Sequence, residues 1–113
     1  MLFGLLPGTL DVLVLKALAA SSNHGYGVAR WVREATDDEL VIEDGALYTA
    51  LHRLEKRGLL RADWKASETN RRAKYYTLTA KGTRVLEEQT RVWRRSAAAL
   101  TKVLDRTPGK ASS

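Results

Sequence analysis

The sequence of 113 residues contains no cysteine and only two histidines and two prolines. Without cysteine the chain has no disulfide, no thiol nucleophile and no zinc–cysteine site. The two histidines, His24 and His52, are too few and too isolated for a histidine-based metal site. We therefore expect neither a metal nor a cofactor.

Long apolar runs and enzyme motifs are missing as well. No run approaches the roughly 18 apolar residues of a membrane helix, and the opening stretch MLFGLLPGTLD lacks the basic region of a signal peptide. The sequence has no glycine-rich phosphate loop, no histidine–carboxylate motif and no paired acids at a recognisable spacing. The acidic run Asp37-Asp38-Glu39 has no such partners and is typical of a solvated loop. The expectation is a cytoplasmic protein that has no enzymatic activity and no membrane partner.

The apolar pattern of the first half predicts two helices and a short strand. Thr9 follows a Pro-Gly break and is expected to cap a buried helix over residues 10–20. A turn over residues 21–25 leads into a second helix over residues 26–35, and residues 40–42 are β-like. The apolar face of the second helix consists of Val28, Trp31, Val32 and Ala35.

A third helix and a hairpin follow. Asp44 is expected to cap this helix and Gly58 to end it. Strand-forming residues 59–66 and 72–78 are joined by a polar, turn-prone link, and Tyr76 is expected to anchor the second strand to the core. The buried stripe of the third helix is Leu47, Leu51 and Leu54.

A long fourth helix is predicted from about residue 80 to residue 105, with Thr79 as its cap. At about 1.5 Å per residue it would be about 40 Å long, too long for the small domain before it to cover. One side repeats at alternating spacings of three and four, as a coiled-coil seam does. The seam positions are Leu86, Gln89, Trp93, Ala97, Leu100 and Leu104.

Three helices followed by a β-hairpin form the plan of a winged helix. The predicted fold is mainly α-helical with a small hairpin, the wing: a winged helix–turn–helix over residues 1–78, a long C-terminal helix over 79–106 and a disordered tail over 107–113. In this plan the third helix enters the DNA major groove and the wing reaches the adjacent backbone.

The charge distribution agrees with this plan. The formal net charge is +6, but residues 1–45 hold 3 Lys/Arg against 7 Asp/Glu, residues 46–82 hold 9 against 3, and residues 83–113 hold 7 against 3. The net charges of these segments are therefore −4, +6 and +4. A positive surface favours polyanions, nucleic acid first, although membrane surfaces also fit. A basic middle built from a helix and a hairpin is typical of a DNA-binding protein.

The stretches GALYTALHRLEKRGLL and RRAKYYTLTAKG, with a tryptophan between them, closely resemble the signature of PadR-type transcriptional regulators. The opening LLPGTLD and the Gly25-Tyr26 pair are also similar, and the resemblance covers residues 5 to about 105. The matching signature positions are Gly45, Leu47, Tyr48, Leu51, Arg53, Leu54, Glu55, Gly58, Leu59, Leu60, Trp64, Arg72, Lys74, Tyr75, Tyr76, Leu78, Thr79 and Gly82.

The resemblance implies a homodimeric winged-helix regulator, usually a repressor, that binds a pseudo-palindromic operator. A single long last helix is similar to the shorter PadR subfamily, in which that helix forms the dimer together with the N-terminal helix. The dimer interface expected from this is Leu5, Leu6, Leu86, Trp93, Leu100 and Leu104.

Two positions depart from the family pattern. The residue after Gly45 is often Thr or Ser and here is Ala46, which has no hydroxyl for a phosphate. The residue after Tyr48 is often Pro and here is Thr49. Both lie in the recognition helix, so the operator sequence and the affinity do not carry over from the family.

The recognition helix, residues 44–57, offers Tyr48, Thr49, His52 and Arg53 for DNA contact. Arginine can pair with guanine, threonine can touch a thymine methyl, and tyrosine can donate to phosphate. A solvated helix face is the alternative for all four. For Arg53 an internal salt bridge is a further alternative, because Glu55 and the turn are close by.

The wing, residues 65–74, offers Lys65, Arg71, Arg72 and Lys74 for contact with phosphates or the minor groove. The alternative is a charged hairpin that only prevents edge-to-edge strand pairing.

Trp93 is the residue to consider for ligand binding, since some relatives hold flat hydrophobic compounds with aromatic side chains at the dimer interface. A hydrophobic small-molecule effector is therefore a candidate partner, and an ordinary core or interface tryptophan is the alternative. Trp31 and Trp64 are expected in the core. The competing function is a winged-helix protein-interaction adaptor, which would need neither a basic recognition helix nor a basic wing.

Overall fold

The computed structural model describes residues 8–108. Within them the order of elements is α1 (Thr9–Ala20), β1 (Asn23–His24), α2 (Gly25–Ala35), α3 (Asp44–Lys56), β2 (Leu60–Ala66), β3 (Arg72–Leu78) and α4 (Ala80–Leu104). The fold is mainly α-helical with an antiparallel β2–β3 hairpin as its wing and a long last helix, as the sequence predicts. Leu5, Leu6 and residues 109–113 of the predicted tail lie outside the described residues.

The core lies where α1, α2 and α3 pack against one another and against the base of the wing. The core forms because the apolar side of each helix packs against the apolar sides of the other two helices. The predicted stripe of α3 is confirmed, because all three of its leucines are fully buried. The core side chains are Val14, Leu15, Ala17, Leu18, Val28, Val32, Ile42, Leu47, Leu51, Leu54, Leu59, Leu60, Tyr76 and Leu86.

The predicted caps of α1 and α3 are wrong by one residue. The carbonyl of Gly8 already accepts the first bond of the α1 ladder at 3.1 Å, so Gly8 is the N-cap and Thr9 the first helical residue. The carbonyl of Glu43 does the same for α3 at 2.9 Å, which makes Asp44 helical. As an acid in the first turn, Asp44 still lies near the positive end of the helix dipole.

The end of α3 is a Schellman turn, as the position of Gly58 predicts. Gly58 has φ +79°, a left-handed conformation that glycine adopts without steric cost. Its N–H donates to the Glu55 carbonyl at 2.9 Å, and the Leu59 N–H donates to the Leu54 carbonyl at 3.0 Å. The chain therefore leaves α3 and enters β2 in a tight turn.

The sheet has the order β1-β3-β2. The hairpin register runs from Leu60 opposite Leu78 to Ala66 opposite Arg72, which agrees with the predicted strands. The two-residue strand β1 pairs with the other edge of β3, at Tyr75 and Tyr76. The sequence predicted a turn there, because two residues are too few for a periodic signal.

Two further expectations fail between α2 and α3. Residues 40–42 form no strand; Ile42 is buried and Leu40 packs against the core, so these apolar side chains serve helix packing. On α2, Val28 and Val32 are buried as predicted and Trp31 is half-buried, but Ala35 is exposed.

The start of α4 is fixed against the end of α3. The Thr79 side chain caps α4 by accepting from the Gly82 N–H at 3.0 Å, as predicted, and its hydroxyl donates to the Gly58 carbonyl at 2.8 Å. Leu86 is 7% exposed and lies in the core of its own chain, so it is not free to form the dimer contact predicted for it. The C-terminal end of α4 extends away from the domain, and Leu104 is 80% exposed. Within residues 8–108, no helix combines the length and apolar content that crossing a bilayer requires.

Candidate nucleic-acid interface

The inner face of the wing, the first turn of α2 and the exposed side of α3 enclose a cleft of about 750 Å³. We call it the wing cleft. Its described lining contains four cations but only one carboxylate, Glu68. The local field in the cleft is therefore positive and favours an anion. The four cations are Arg30, Arg71, Arg72 and Lys74.

The recognition-helix residues lie on the exposed side of α3, as predicted. Tyr48 is half-exposed and lines the wing cleft. Its ring lies directly against Gly25, at the start of α2, where an added Cβ would come within 2.7 Å of the phenol. Thr49 and His52 are exposed on α3 outside the cleft. Tyr48 therefore faces the wing, whereas Thr49 and His52 face solvent on the part of α3 outside the cleft.

Arg53 forms an ion pair with Asp11 of α1. The sequence left an internal salt bridge open for Arg53, and the structure has one, but with Asp11 rather than with Glu55. The Asp11 side chain is only 20% exposed, so the pair holds the guanidinium against α1. The guanidinium of Arg53 is therefore already bound within its own chain, although the side chain is 47% exposed.

Lys74 joins the wing to the recognition helix. Its Nζ lies 3.1 Å from Oε1 of Glu55 in α3 and 5.5 Å from the centroid of the Tyr76 ring. The Glu55 carboxylate raises the pKa of Lys74 above its ordinary value, because it stabilises the ammonium. The sequence placed Lys74 toward DNA, but this charge is already shared with an internal carboxylate.

Trp64 is the largest correction to the predicted core, since it is 59% exposed. Trp64 lies opposite Lys74 in the hairpin, on the same face as the buried Tyr76. Tyr76 is opposite Ala62, so Trp64 is two residues closer to the wing tip than that pair. At that distance along the wing the helices no longer cover the strand, so the ring faces the wing cleft. The guanidinium of Arg72 lies 5.7 Å from the Trp64 ring centroid, within the range of a cation–π contact.

Lys65 belongs to the other face of the wing. Its Nζ lies 4.6 Å from the centroid of the Tyr75 ring, outside the wing cleft. Arg71 lines the cleft next to the turn that joins the strands, where its carbonyl accepts from the Ser67 N–H at 2.7 Å. The four predicted wing cations are thus divided between the two faces of the hairpin.

His24 connects α2 to the tip of the wing, and sequence reasoning missed it. Its Nδ1 accepts from the Gly27 N–H at 3.0 Å and caps α2, while its Nε2 lies 3.3 Å from Oε1 of Glu68. Because Nδ1 accepts, the proton of the neutral ring must be on Nε2, which then donates to Glu68. A backbone hydrogen bond, followed by the contact with His24, lowers the pKa of Glu68.

Tyr26 and Arg30 of α2 are the other residues that sequence reasoning missed. Tyr26 is 66% exposed, and the guanidinium of Arg30 lies 5.6 Å from its ring centroid. The available signal was their i, i+4 spacing on the polar side of α2. Only the tertiary structure places that side across the cleft from the wing.

Comparison with known proteins agrees with this geometry. The family model described as "Transcriptional regulator PadR-like family" matches residues 14–88. The structure of a PadR family transcriptional regulator from Eggerthella lenta is 33% identical, with 95% of this chain and 91% of that chain covered and a TM-score of 0.76. A PadR family regulator from Clostridium difficile is 31% identical, with 86% and 99% covered and a TM-score of 0.73. A transcriptional regulator from Clostridium thermocellum is 28% identical, with 88% and 96% covered and a TM-score of 0.79.

Proposed function

Because this chain belongs to the PadR-like family of transcriptional regulators, we propose that it is a repressor that binds a pseudo-palindromic operator sequence-specifically, as a homodimer in the cytoplasm. The observation that carries the proposal is the cationic wing cleft between the exposed side of α3 and the inner face of the wing. Duplex DNA carries a phosphate charge about every 1.7 Å along its axis and is surrounded by counterions. A positive protein surface of this kind displaces those counterions from the DNA, and their release favours binding.

Base reading is assigned to the outward side of α3. An α-helix fits the major groove, where Thr49 can touch a thymine methyl and His52 can reach base edges. Tyr48, held at the cleft side of α3, is placed to donate to a phosphate. In this proposal Arg53 contributes less to DNA binding than Thr49 and His52, because Asp11 already binds its guanidinium.

The wing supplies affinity without sequence reading. Arg71 and Arg72 line the cleft, and Lys65 projects from the other face of the hairpin. Contacts of these cations with phosphates or with a narrow minor groove would hold the wing on the DNA next to the groove that α3 enters. Lys74 adds positive potential while it fastens the wing to Glu55.

Homodimer formation is assigned to α4. Its second half exposes an apolar side that includes Trp93, Leu100 and Leu104, which are 39%, 48% and 80% exposed. A contiguous patch of this kind is typical of an interaction site. A two-fold dimer would present two recognition helices to two half-sites, which accounts for a pseudo-palindromic operator. Leu5 and Leu6 remain predicted contributors, and Leu86 is left out.

A hydrophobic effector is a second proposal, supported by a cavity of about 390 Å³ between α1 and α4. This volume lies within the range of about 300–1,000 Å³ found for ligand sites. Trp93 lines it together with Val12, Leu13 and Leu40. Titration with the dye 1-anilinonaphthalene-8-sulfonate tests the site: saturable dye fluorescence that Trp93→Ala abolishes supports it, and no saturable change counts against it.

Fluorescence anisotropy across a salt series tests the main proposal, with DNA from upstream of the protein's own gene and random DNA as the control. We expect tighter binding to the upstream DNA and a steep fall in affinity with salt. Arg72→Ala should flatten the salt slope for both DNAs, whereas His52→Ala should weaken the upstream DNA more. No binding to either DNA at low salt would favour the protein-interaction adaptor instead.

A further inference from the structure

Arg53 lies beside the outward side of α3 but is bound by a residue of another helix. It follows Thr49 by four positions, which places the two side chains on the same side of α3. Its guanidinium pairs with the Asp11 carboxylate of α1. Arginine is suited to the commonest base-specific contact, two hydrogen bonds to O6 and N7 of guanine. The predicted recognition residue with the strongest base-reading chemistry is therefore held by α1.

Arg53 would have to leave Asp11 in order to bind guanine. The Asp11 side chain is only 20% exposed, so water would replace the lost partner poorly, and an unpaired, partly buried carboxylate is unfavourable. A bidentate guanine contact favours the exchange by about tenfold in affinity, and loss of the partner of Asp11 opposes it by about the same factor. The carboxylate at position 11 therefore decides which partner Arg53 keeps.

The helix α1 presents Asp11 from a fixed position. Val14, Leu15 and Leu18 of the same helix are buried in the core, so the backbone of α1 is fixed by its packing. Asp11 lies in the first turn of α1, where the positive end of the helix dipole stabilises a carboxylate. The carboxylate is therefore held in place as a partner for Arg53.

We propose that Asp11 determines the base preference of the recognition helix by withholding Arg53 from DNA. Base reading is then left to Thr49 and His52, and no guanine is required beside Arg53. Specificity is a difference between affinities, so withholding a strong reader changes it as much as adding one does. The inference rests on the proposed DNA-binding function. It goes beyond that function because it gives α1, a helix that is not placed in a groove, a role in the choice of operator.

Selection from a randomised duplex library, followed by sequencing, tests the role of Asp11. Asp11→Asn keeps the shape of the side chain and removes its charge, so Arg53 becomes free to bind a base. The duplexes selected by this variant should contain a guanine in each half-site at a position where the unmodified protein accepts any base. Fluorescence anisotropy should show about fivefold to tenfold tighter binding of Asp11→Asn to such a duplex. Arg53→Gln in the Asp11→Asn background should remove both effects.

Asp38→Asn is the matched control. Asp38 also pairs with an arginine, since its Oδ1 lies 3.1 Å from Nε of Arg33, but that arginine belongs to α2. The variant removes the same charge and breaks the same kind of ion pair. Asparagine tolerates the left-handed backbone at this position, where φ is +68°. The selected sequences should be unchanged and the affinity should stay within about twofold of the unmodified protein.

Two results would overturn the inference and leave the proposed function standing. One is that the unmodified protein and Asp11→Asn select the same sequences. The other is a gain in affinity that persists when Arg53→Gln is added, because the gain would then come from net charge alone. Thermal unfolding monitored by circular dichroism establishes that each variant is folded. If the unmodified protein selects no sequence and binds no duplex at low salt, the proposed function itself fails, and the inference fails with it.

Discussion

The phenol ring of Tyr48 in α3 occupies the space that a side chain at Gly25 in α2 would need. A Cβ built on Gly25 would come within 2.7 Å of the phenol oxygen and of a ring carbon. The contact lies inside the wing cleft, which both residues line. Gly25 thus sets the position of a residue assigned to phosphate contact, although it carries no functional group.

Gly25→Ala is therefore expected to lower the affinity for DNA while changing the stability of the folded protein little. The clashing atoms are the far end of a flexible side chain, so Tyr48 can move away at little cost, and alanine is itself a good helix former. Affinity for DNA should fall about fivefold, the equivalent of one lost hydrogen bond of about 1 kcal/mol. Anisotropy titrations measure it. In a Tyr48→Phe background Gly25→Ala should add almost nothing, and a full additional loss there would contradict this explanation.

Gly82→Ala should act on stability instead. A Cβ at Gly82 would lie 2.2 Å from the Leu59 carbonyl oxygen, which is backbone and cannot rotate away. We expect a loss of about 1–3 kcal/mol in the free energy of unfolding, the usual cost of overpacking. Urea denaturation measures the loss. Gly45→Ala is the control, because its Cβ would meet nothing within 4 Å, and it should leave the protein equally stable or slightly more stable.

The contact of Lys74 with Glu55, together with the burial of Tyr76, predicts a loss of stability at alkaline pH. The Glu55 carboxylate raises the pKa of Lys74, and burial raises the pKa of Tyr76. Both groups hold their protons more tightly in the folded state. Their contribution is complete below the unfolded pKa values, about 10.4 for lysine and 10 for tyrosine, and is lost as pH rises through the higher folded values.

Urea midpoints measured between neutral pH and the alkaline range test this expectation. The midpoint should fall above about pH 10, and the fall should be shallower in Lys74→Met and in Tyr76→Phe, each of which removes one of the two titrating groups. Arg61→Met removes an exposed cation from the same hairpin and should leave the shape of the profile unchanged. An equally steep fall of the urea midpoint with pH in all variants would show that Lys74 and Tyr76 do not cause the alkaline loss of stability.

Leu100→Glu should dissociate the proposed homodimer. In a two-fold interface the change occurs twice, and losing two buried leucines costs about 3 kcal/mol or more, which is at least about a hundredfold in the dimer dissociation constant. Sedimentation velocity should show twice the chain mass for the unmodified protein and the chain mass for the variant. Ala98→Glu adds the same charge on the other side of α4 and should remain dimeric. A dimeric Leu100→Glu protein would place the interface elsewhere.

Much of the fold was predictable because its causes are local. The leucine stripe of α3 follows helical periodicity, Gly58 ends the helix through its own left-handed conformation, and Thr79 caps α4 through a residue three positions away. The hairpin follows from two runs of strand formers and a polar turn. Residues within a few positions of one another determine all of these features.

The wing cleft could be predicted only in part, because its contacts join residues that are far apart in the chain. Position and residue type selected Tyr48, Arg71 and Arg72, which do line the cleft. They did not show that Lys74 would pair with Glu55 or Arg53 with Asp11. Both pairs depend on how α1, α3 and the wing are oriented, and a local pattern carries no information on that orientation.

The sequence by itself determined the four helices and the β2–β3 hairpin, and that positive charge collects in the middle of the chain. Tertiary structure alone decided which of those charges face a partner and which are neutralised internally. It also decided that Trp64 lies beyond the cover of the helices, although it shares a strand face with buried residues. The physical reason is that burial depends on what the rest of the chain places against a residue, whereas periodicity reports only the face on which the residue lies.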